Sequence, residues 1–137
     1  MNDFEDLRHI TETLYQRDMS ALQAIVAEEN ALRADLAKLD DQMRVAEQGS
    51  EESRFVQRSI GADILWRGWV ERTRATLQMR LAGVMARKGE ARLRMAKSHG
   101  KAEVARELSE KSAQTKMRAR EARISEQIQD MSILTSR

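Results

Sequence analysis

The sequence predicts an all-α fold, two long helices in an antiparallel coiled-coil hairpin with a C-terminal helical overhang, and three observations carry that prediction. The 137 residues include no Pro, no Cys and only five aromatic side chains, whereas Asp, Glu, Lys and Arg make up 34%. Compact cores draw much of their buried area from aromatic rings, and short elements need Pro and Gly to turn, so this composition belongs to long helices. Apolar residues recur at steps of three and four, the seam spacing of a coiled coil. A single break, Gln48-Gly49-Ser50-Glu51-Glu52, divides the chain. One elongated domain over residues 1–137 follows.

The first helix is expected over about residues 3–48. Asn2 is placed to cap it with Glu5 three residues on, and Asp3, Glu5 and Asp6 lie at the positive end of the helix dipole. Its seam reads Leu7, Ile10, Leu14, then Leu22, Ile25, Leu32, Leu36, Leu39, Met43 and Ala46. The frame slips by one residue between Leu14 and Leu22, which predicts local unwinding of the supercoil. Glu29 with Arg33 and Asp40 with Arg44 are one turn apart and read as pairs on the exposed face.

The turn is expected at about 49–52, with Gly49 in a left-handed C-cap and Ser50 capping the next helix. The second helix is expected over about 53–132. Its apolar positions are Val56, Ile60, Ile64, Trp66, Trp69, Val70, Leu77, Leu81, Val84, Ala91, Met95, Ala102 and Ala105, and the helix continues through Gly100. Helices joined by a short turn pack antiparallel, so residues whose numbers total about 99 should face each other over ~65 Å. Residues 96–137 would then overhang. Met117, Ile124, Ile128 and Met131 give that overhang an apolar stripe, which calls for a partner from outside.

Net charge is +2, but it is unevenly placed. Residues 1–48 hold eleven acidic and five basic side chains, and residues 61–101 hold ten basic and three acidic. Complementary blocks in one chain are expected to lie side by side, with the basic run forming an outer face opposite the acidic helix. A basic face for nucleic acid would carry the same charges, but no nucleic-acid fold signature accompanies them.

No chemistry of a catalytic or cofactor site is legible. His9 and His99 lack metal-ligand spacing, no phosphate-binding or nucleophile motif occurs, and the adjacent pairs Glu28-Glu29 and Asp40-Asp41 diverge by about 100° on a helix. The expectation is therefore no enzyme, no cofactor and no metal. The acidic N-terminus lacks a signal-peptide pattern, and no run approaches the roughly 18 apolar residues of a membrane span, so a cytoplasmic location is expected. Phe55, Trp66 and Trp69 cluster close to the turn with Arg67 between the two indoles. Since Trp and Arg dominate interface hot spots, and residues three apart do not both fit a narrow seam, at least one Trp is expected to be exposed as a partner anchor.

A turn followed by Phe55, the segment Gly61-Ala62-Asp63-Ile64-Leu65-Trp66-Arg67-Gly68-Trp69, an Arg-rich stretch, and Arg92-Leu93-Arg94-Met95-Ala96-Lys97-Ser98-His99-Gly100-Lys101-Ala102-Glu103 resemble the FliJ/YscO group of type III secretion stalk proteins, in their alphaproteobacterial form. The resemblance covers nearly the whole chain. It implies a two-helix coiled coil of the flagellar or virulence export apparatus, cytoplasmic and working at the inner membrane. Such proteins insert the end carrying the chain termini into the hexameric export ATPase and contact the export gate protein from the region near the turn. On this chain the resemblance places Phe4, Leu7, Ile10, Ile124 and Ile128 on the ATPase side, and Phe55, Ile60, Trp66, Arg67 and Trp69 on the gate side. The rival readings are a homodimeric coiled-coil scaffold, in which the overhang pairs with a second copy, and a nucleic-acid-associated helical protein.

Overall fold

The computed structural model describes residues 3–49 and 61–136, and among them the fold is all-α: α1 over Asp3–Glu47 and α2 over Ala62–Thr135, packed against each other. The acidic first turn of α1 and Arg44 in its last turn complement the helix dipole. Asn2 lies outside the described residues, as do Ser50 and Val56. The α1 C-terminus closes through Gln48 N–H donating to the Arg44 carbonyl at 3.1 Å and Gly49 N–H to that of Ala46 at 3.3 Å. Gly49 does not take the expected left-handed conformation. Among the described residues that geometry belongs to Gly61, with φ of 75°, immediately before α2. A residue with a Cβ is strained there, so glycine suits the entry to α2.

The second helix opens at Ala62, beyond the expected start near 53, and runs unbroken through Gly100 to Thr135. A lone glycine costs about 1 kcal/mol within a helix and does not stop one of this length. The chain divides into two compact units: a terminal unit, Met1–Asp18 with Arg94–Arg137, and a central unit, Met19–Leu93.

In the central unit Leu39, Val70, Val84 and Ala91 are buried, and Leu22, Ile25, Leu32, Leu36, Met43 and Ala46 are half-buried, as the spacing predicts. Ile64, expected in the seam, is instead exposed. The pairing register also differs from the expected one. Asp40 meets Arg74, Glu28 meets Arg87 and Glu29 meets Lys88, so paired numbers total 114 to 117 rather than 99. The late start of α2, nine residues beyond the expected one, accounts for about half of that offset, because each α1 residue then faces a partner further along the chain.

The terminal unit has a different interior. Thr11, Ser98, Ala102, Ala105 and Ser109 are buried, with Tyr15 and Asp18 half-buried, so its seam is small and polar. The buried hydroxyls of Thr11, Ser98 and Ser109 are each satisfied. Thr11 donates to the carbonyls of Leu7 and Arg8 at 2.8 and 3.0 Å, and Ser98 to those of Arg94 and Met95 at 3.1 Å. Ser109 donates to a Glu5 carboxylate oxygen at 3.0 Å.

Leu7, Ile10 and Leu14 do not enter this seam, contrary to expectation; all three are exposed, Ile10 by 59%. The inward positions of α1 instead run Thr11, Tyr15, Asp18, Leu22, Ile25, Glu29 and Leu32 in unbroken steps of four and three, without a frame slip. Following the apolar residues would require about 100° of extra rotation within two turns of one continuous helix. The hydrogen-bonded helix keeps its phase, and the apolar row is left on the surface. The overhang is also shorter than expected: α2 has partners on α1 at least as far as Ser109, and its residues 113–136 are exposed throughout.

Candidate partner-binding surfaces

The basic run of α2 is partly accounted for inside the central unit. Arg74 lies 2.6 Å from Asp40 and also donates to the Met43 sulfur at 2.9 Å, and Arg87 lies 2.9 Å from Glu28. Lys88 reaches Glu29 at 2.8 Å, while Arg33 bonds the other oxygen of that carboxylate at 3.1 Å. Glu29 is 5% exposed. The expected Glu29 and Arg33 pair thus exists, but in the seam and not on the outer face. Hydrogen bonds from Lys88 first and Arg33 second hold the Glu29 carboxyl below its ordinary value of 4.5. The expected Asp40 and Arg44 pair is replaced, since Asp40 turns to Arg74 and Arg44 bonds Asp41 at 2.8 Å.

Near the start of α2 the central unit carries an open groove of about 810 Å³, walled by Gln42, Val45, Ala46, Ala62, Trp66 and Trp69, with Lys38, Asp41 and Asp63 at its rim. Trp66 is half-buried and Trp69 is 48% exposed, so one indole is anchored while the other presents a face to solvent. Val45 on α1 is also exposed. Arg67 is held 3.6 Å from Asp63, one turn away. A concave apolar floor with an indole wall and a charged rim is the form of a hot-spot pocket. Phe55 and Ile60, the other residues expected on the gate side, lie outside the described residues.

The terminal unit carries a second groove, about 390 Å³, between Leu7 and Thr11 on α1 and Gly100, Lys101, Val104 and Ala105 on α2. Phe4, Leu7 and Ile10 are all exposed on this stretch of α1, and Leu14, Val104 and Leu108 add to the apolar surface. The other flank of the unit is charged and paired: Arg106 lies 3.8 Å from Glu12, and the Tyr15 and His99 rings are 5.1 Å apart. Ile124 and Ile128 are exposed too, with Met117 and Met131 on the same stripe. They do not join Phe4, Leu7 and Ile10, because Ile124 is fifteen residues, or about 22 Å of helix, beyond Ser109, which contacts Glu5. The five residues expected on the ATPase side therefore form two surfaces.

Sequence reasoning missed Val45, Leu14, Val104 and Leu108 as surface residues. The frame slip at Leu14 was the available signal, since an apolar row out of phase with its neighbours marks either a bent seam or a second face. Among the described residues no helix is long and apolar enough to cross a membrane, and no group of three or more His, Asp or Glu is placed to hold a metal ion. No protein-family model, curated protein or solved structure matches the chain.

Proposed function

We propose that this chain is a non-enzymatic adaptor built as an antiparallel two-helix coiled coil, of the FliJ/YscO kind, that links the export ATPase to the membrane export gate of a type III or flagellar protein export apparatus. The observation that supports the reading most is that each unit keeps its own exposed apolar surface. The central unit offers Trp66, Trp69 and Val45, and the terminal unit Leu7, Ile10 and Leu14. An adaptor needs two such surfaces, because each partner must find its own desolvated anchor. The gate side is assigned to Trp66, Arg67 and Trp69, and the ATPase side to the terminal unit, including Ile124 and Ile128.

Binding of the isolated partners tests this directly. Trp69→Ala should weaken capture of the export gate protein while helicity and melting stay as in the wild type, Trp66→Ala should weaken it with some loss of melting temperature because that indole is half-buried, and Ile10→Glu should weaken capture of the export ATPase. Undiminished capture of the gate by both Trp variants would remove the aromatic-anchor assignment. The exposed stripe of Met117, Ile124, Ile128 and Met131 supports a second reading, a homodimeric scaffold. Sedimentation separates the two, since the adaptor is a monomer and the scaffold a concentration-dependent dimer.

A further inference from the structure

We propose that the terminal unit is two-thirds of a three-helix bundle, and that its third helix comes from another protein as an amphipathic helix with acidic flanks. The proposal rests on the reading of this unit as a partner-binding end and gives the chemistry of what binds there.

The unit is lopsided. On one flank the polar groups are matched within the chain, Glu12 with Arg106 and Glu5 with Ser109. On the other, Leu7, Ile10 and Leu14 recur at steps of three and four along α1, one residue out of phase with the seam positions Thr11, Tyr15 and Asp18, and all three are exposed. The facing row of α2 is Lys97, Lys101, Val104, Leu108 and Lys111, again at steps of four and three, with Val104 and Leu108 exposed. One groove joins the rows, since Leu7, Gly100, Lys101 and Val104 all line it. Gly100 forms part of its floor, where an added Cβ would meet nothing within 4 Å. This leaves room for a third backbone to approach.

The seam beneath explains why the side chains stay exposed. Ala102, Ala105, Ser98 and Ser109 are too small to cover the leucines of the opposite helix, and the polar Thr11 occupies the inward position. A third helix with apolar residues at heptad spacing would fill the groove, as helices in bundles do. The borders select its charge. Among the described residues Lys97, Lys101 and Lys111 have no ion-pair partner, in contrast to the matched cations Arg74, Arg87 and Lys88 of the central unit. From α1, Arg17 adds a cation beside the row, itself 3.7 Å from Asp18, and Asp3 and Asp6 are the acids towards its other end. A second copy of this chain would bring the same three lysines to the same groove, and like charges oppose that. The run from Lys97 to Lys111 is about 21 Å, some four turns of an incoming helix.

The test uses the full chain and two synthetic helical peptides of roughly 18 residues, with leucines at heptad a and d positions and flanks of either glutamate or lysine. Fluorescence anisotropy should show saturable binding of the glutamate-flanked peptide. Ile10→Glu and Val104→Glu, surface changes that leave helicity intact, should weaken it by about tenfold or more. The Lys97→Glu/Lys101→Glu double variant keeps the apolar rows, and should lose the glutamate-flanked peptide and gain the lysine-flanked one. Absence of saturable binding to the wild type, or binding indifferent to the charge exchange, overturns the proposal. So does a concentration-dependent dimer that Ile10→Glu converts to monomer, which would make a second copy the occupant. If the export ATPase still captures the chain while the peptide does not bind, the groove falls and the adaptor reading stands.

Discussion

Lys88 places its ammonium 2.8 Å from a Glu29 carboxylate oxygen, inside a seam where Glu29 is 5% exposed. With Arg33 on the same carboxylate, this polar layer interrupts an otherwise aliphatic stripe between Ile25 and Leu32. A polar layer of this kind favours one register, since sliding the helices would leave its charges unpaired.

Acid should weaken the central unit through this carboxylate. The folded-state pKa of Glu29 lies below its ordinary value, so its contribution is fully present above the ordinary carboxyl range and is lost as pH falls through the folded value. Melting temperatures of the wild type should therefore drop on acidification, and those of Glu29→Gln should start lower at neutral pH and drop less. Equal acid slopes for the two would mean that Glu29 is not paired in solution.

Two leucine-rich stretches of α1 should respond differently to truncation. Leu39→Ala, at a buried position, should cost about 2–5 kcal/mol of stability. Ile10→Ser, at an exposed one, should stay within about 0.5 kcal/mol. Chemical denaturation measures both, and a large loss at Ile10 would restore the frame slip and place Leu7, Ile10 and Leu14 in the seam.

Because the chain has no cysteine of its own, the register can be read by cysteine cross-linking. Asp40→Cys with Arg74→Cys marks positions whose native side chains meet at 2.6 Å across the length of the arginine, so a short bismaleimide reagent that spans the lost side chain should join them, whereas a direct disulfide needs backbones closer than this contact requires. Leu22→Cys with Leu77→Cys, which face each other only if paired numbers total 99, should not cross-link.

Hydrogen exchange should separate the units. The central unit buries Leu39, Val70 and Val84, whereas among the described residues the buried apolar side chains of the terminal unit are Ala102 and Ala105. At ~25 cal/mol per Å² of apolar surface, the alanines contribute far less. Amides of residues 3–18 and 94–112 should therefore exchange faster than those of 22–46 and 70–91, with 113–136 fastest. Uniform protection along α1 would contradict this.

The helical class was legible in the sequence because it depends on local terms: helix-favouring composition, absence of Pro, and apolar steps of three and four, which placed Leu22 to Ala46 on one face of α1 and Val70 to Ala105 on one face of α2. Exposure of at least one indole was legible for a similar reason, since two indoles three residues apart do not share a narrow seam; the structure selects Trp69. What only tertiary structure decided was which residue meets which. Gly61, not Gly49, takes the left-handed conformation, and α2 begins at Ala62. The resulting register brought Asp40 to Arg74 and Lys88 to Glu29 and shortened the overhang to 113–136. The unbroken phase of α1, held by packing along its whole length, set Thr11, Tyr15 and Glu29 inward and left Leu7, Ile10 and Leu14 outside. Periodicity reports the phase of each helix about its own axis, but the offset between two helices depends on where the second begins and on the few long-range ion pairs that fit only one alignment.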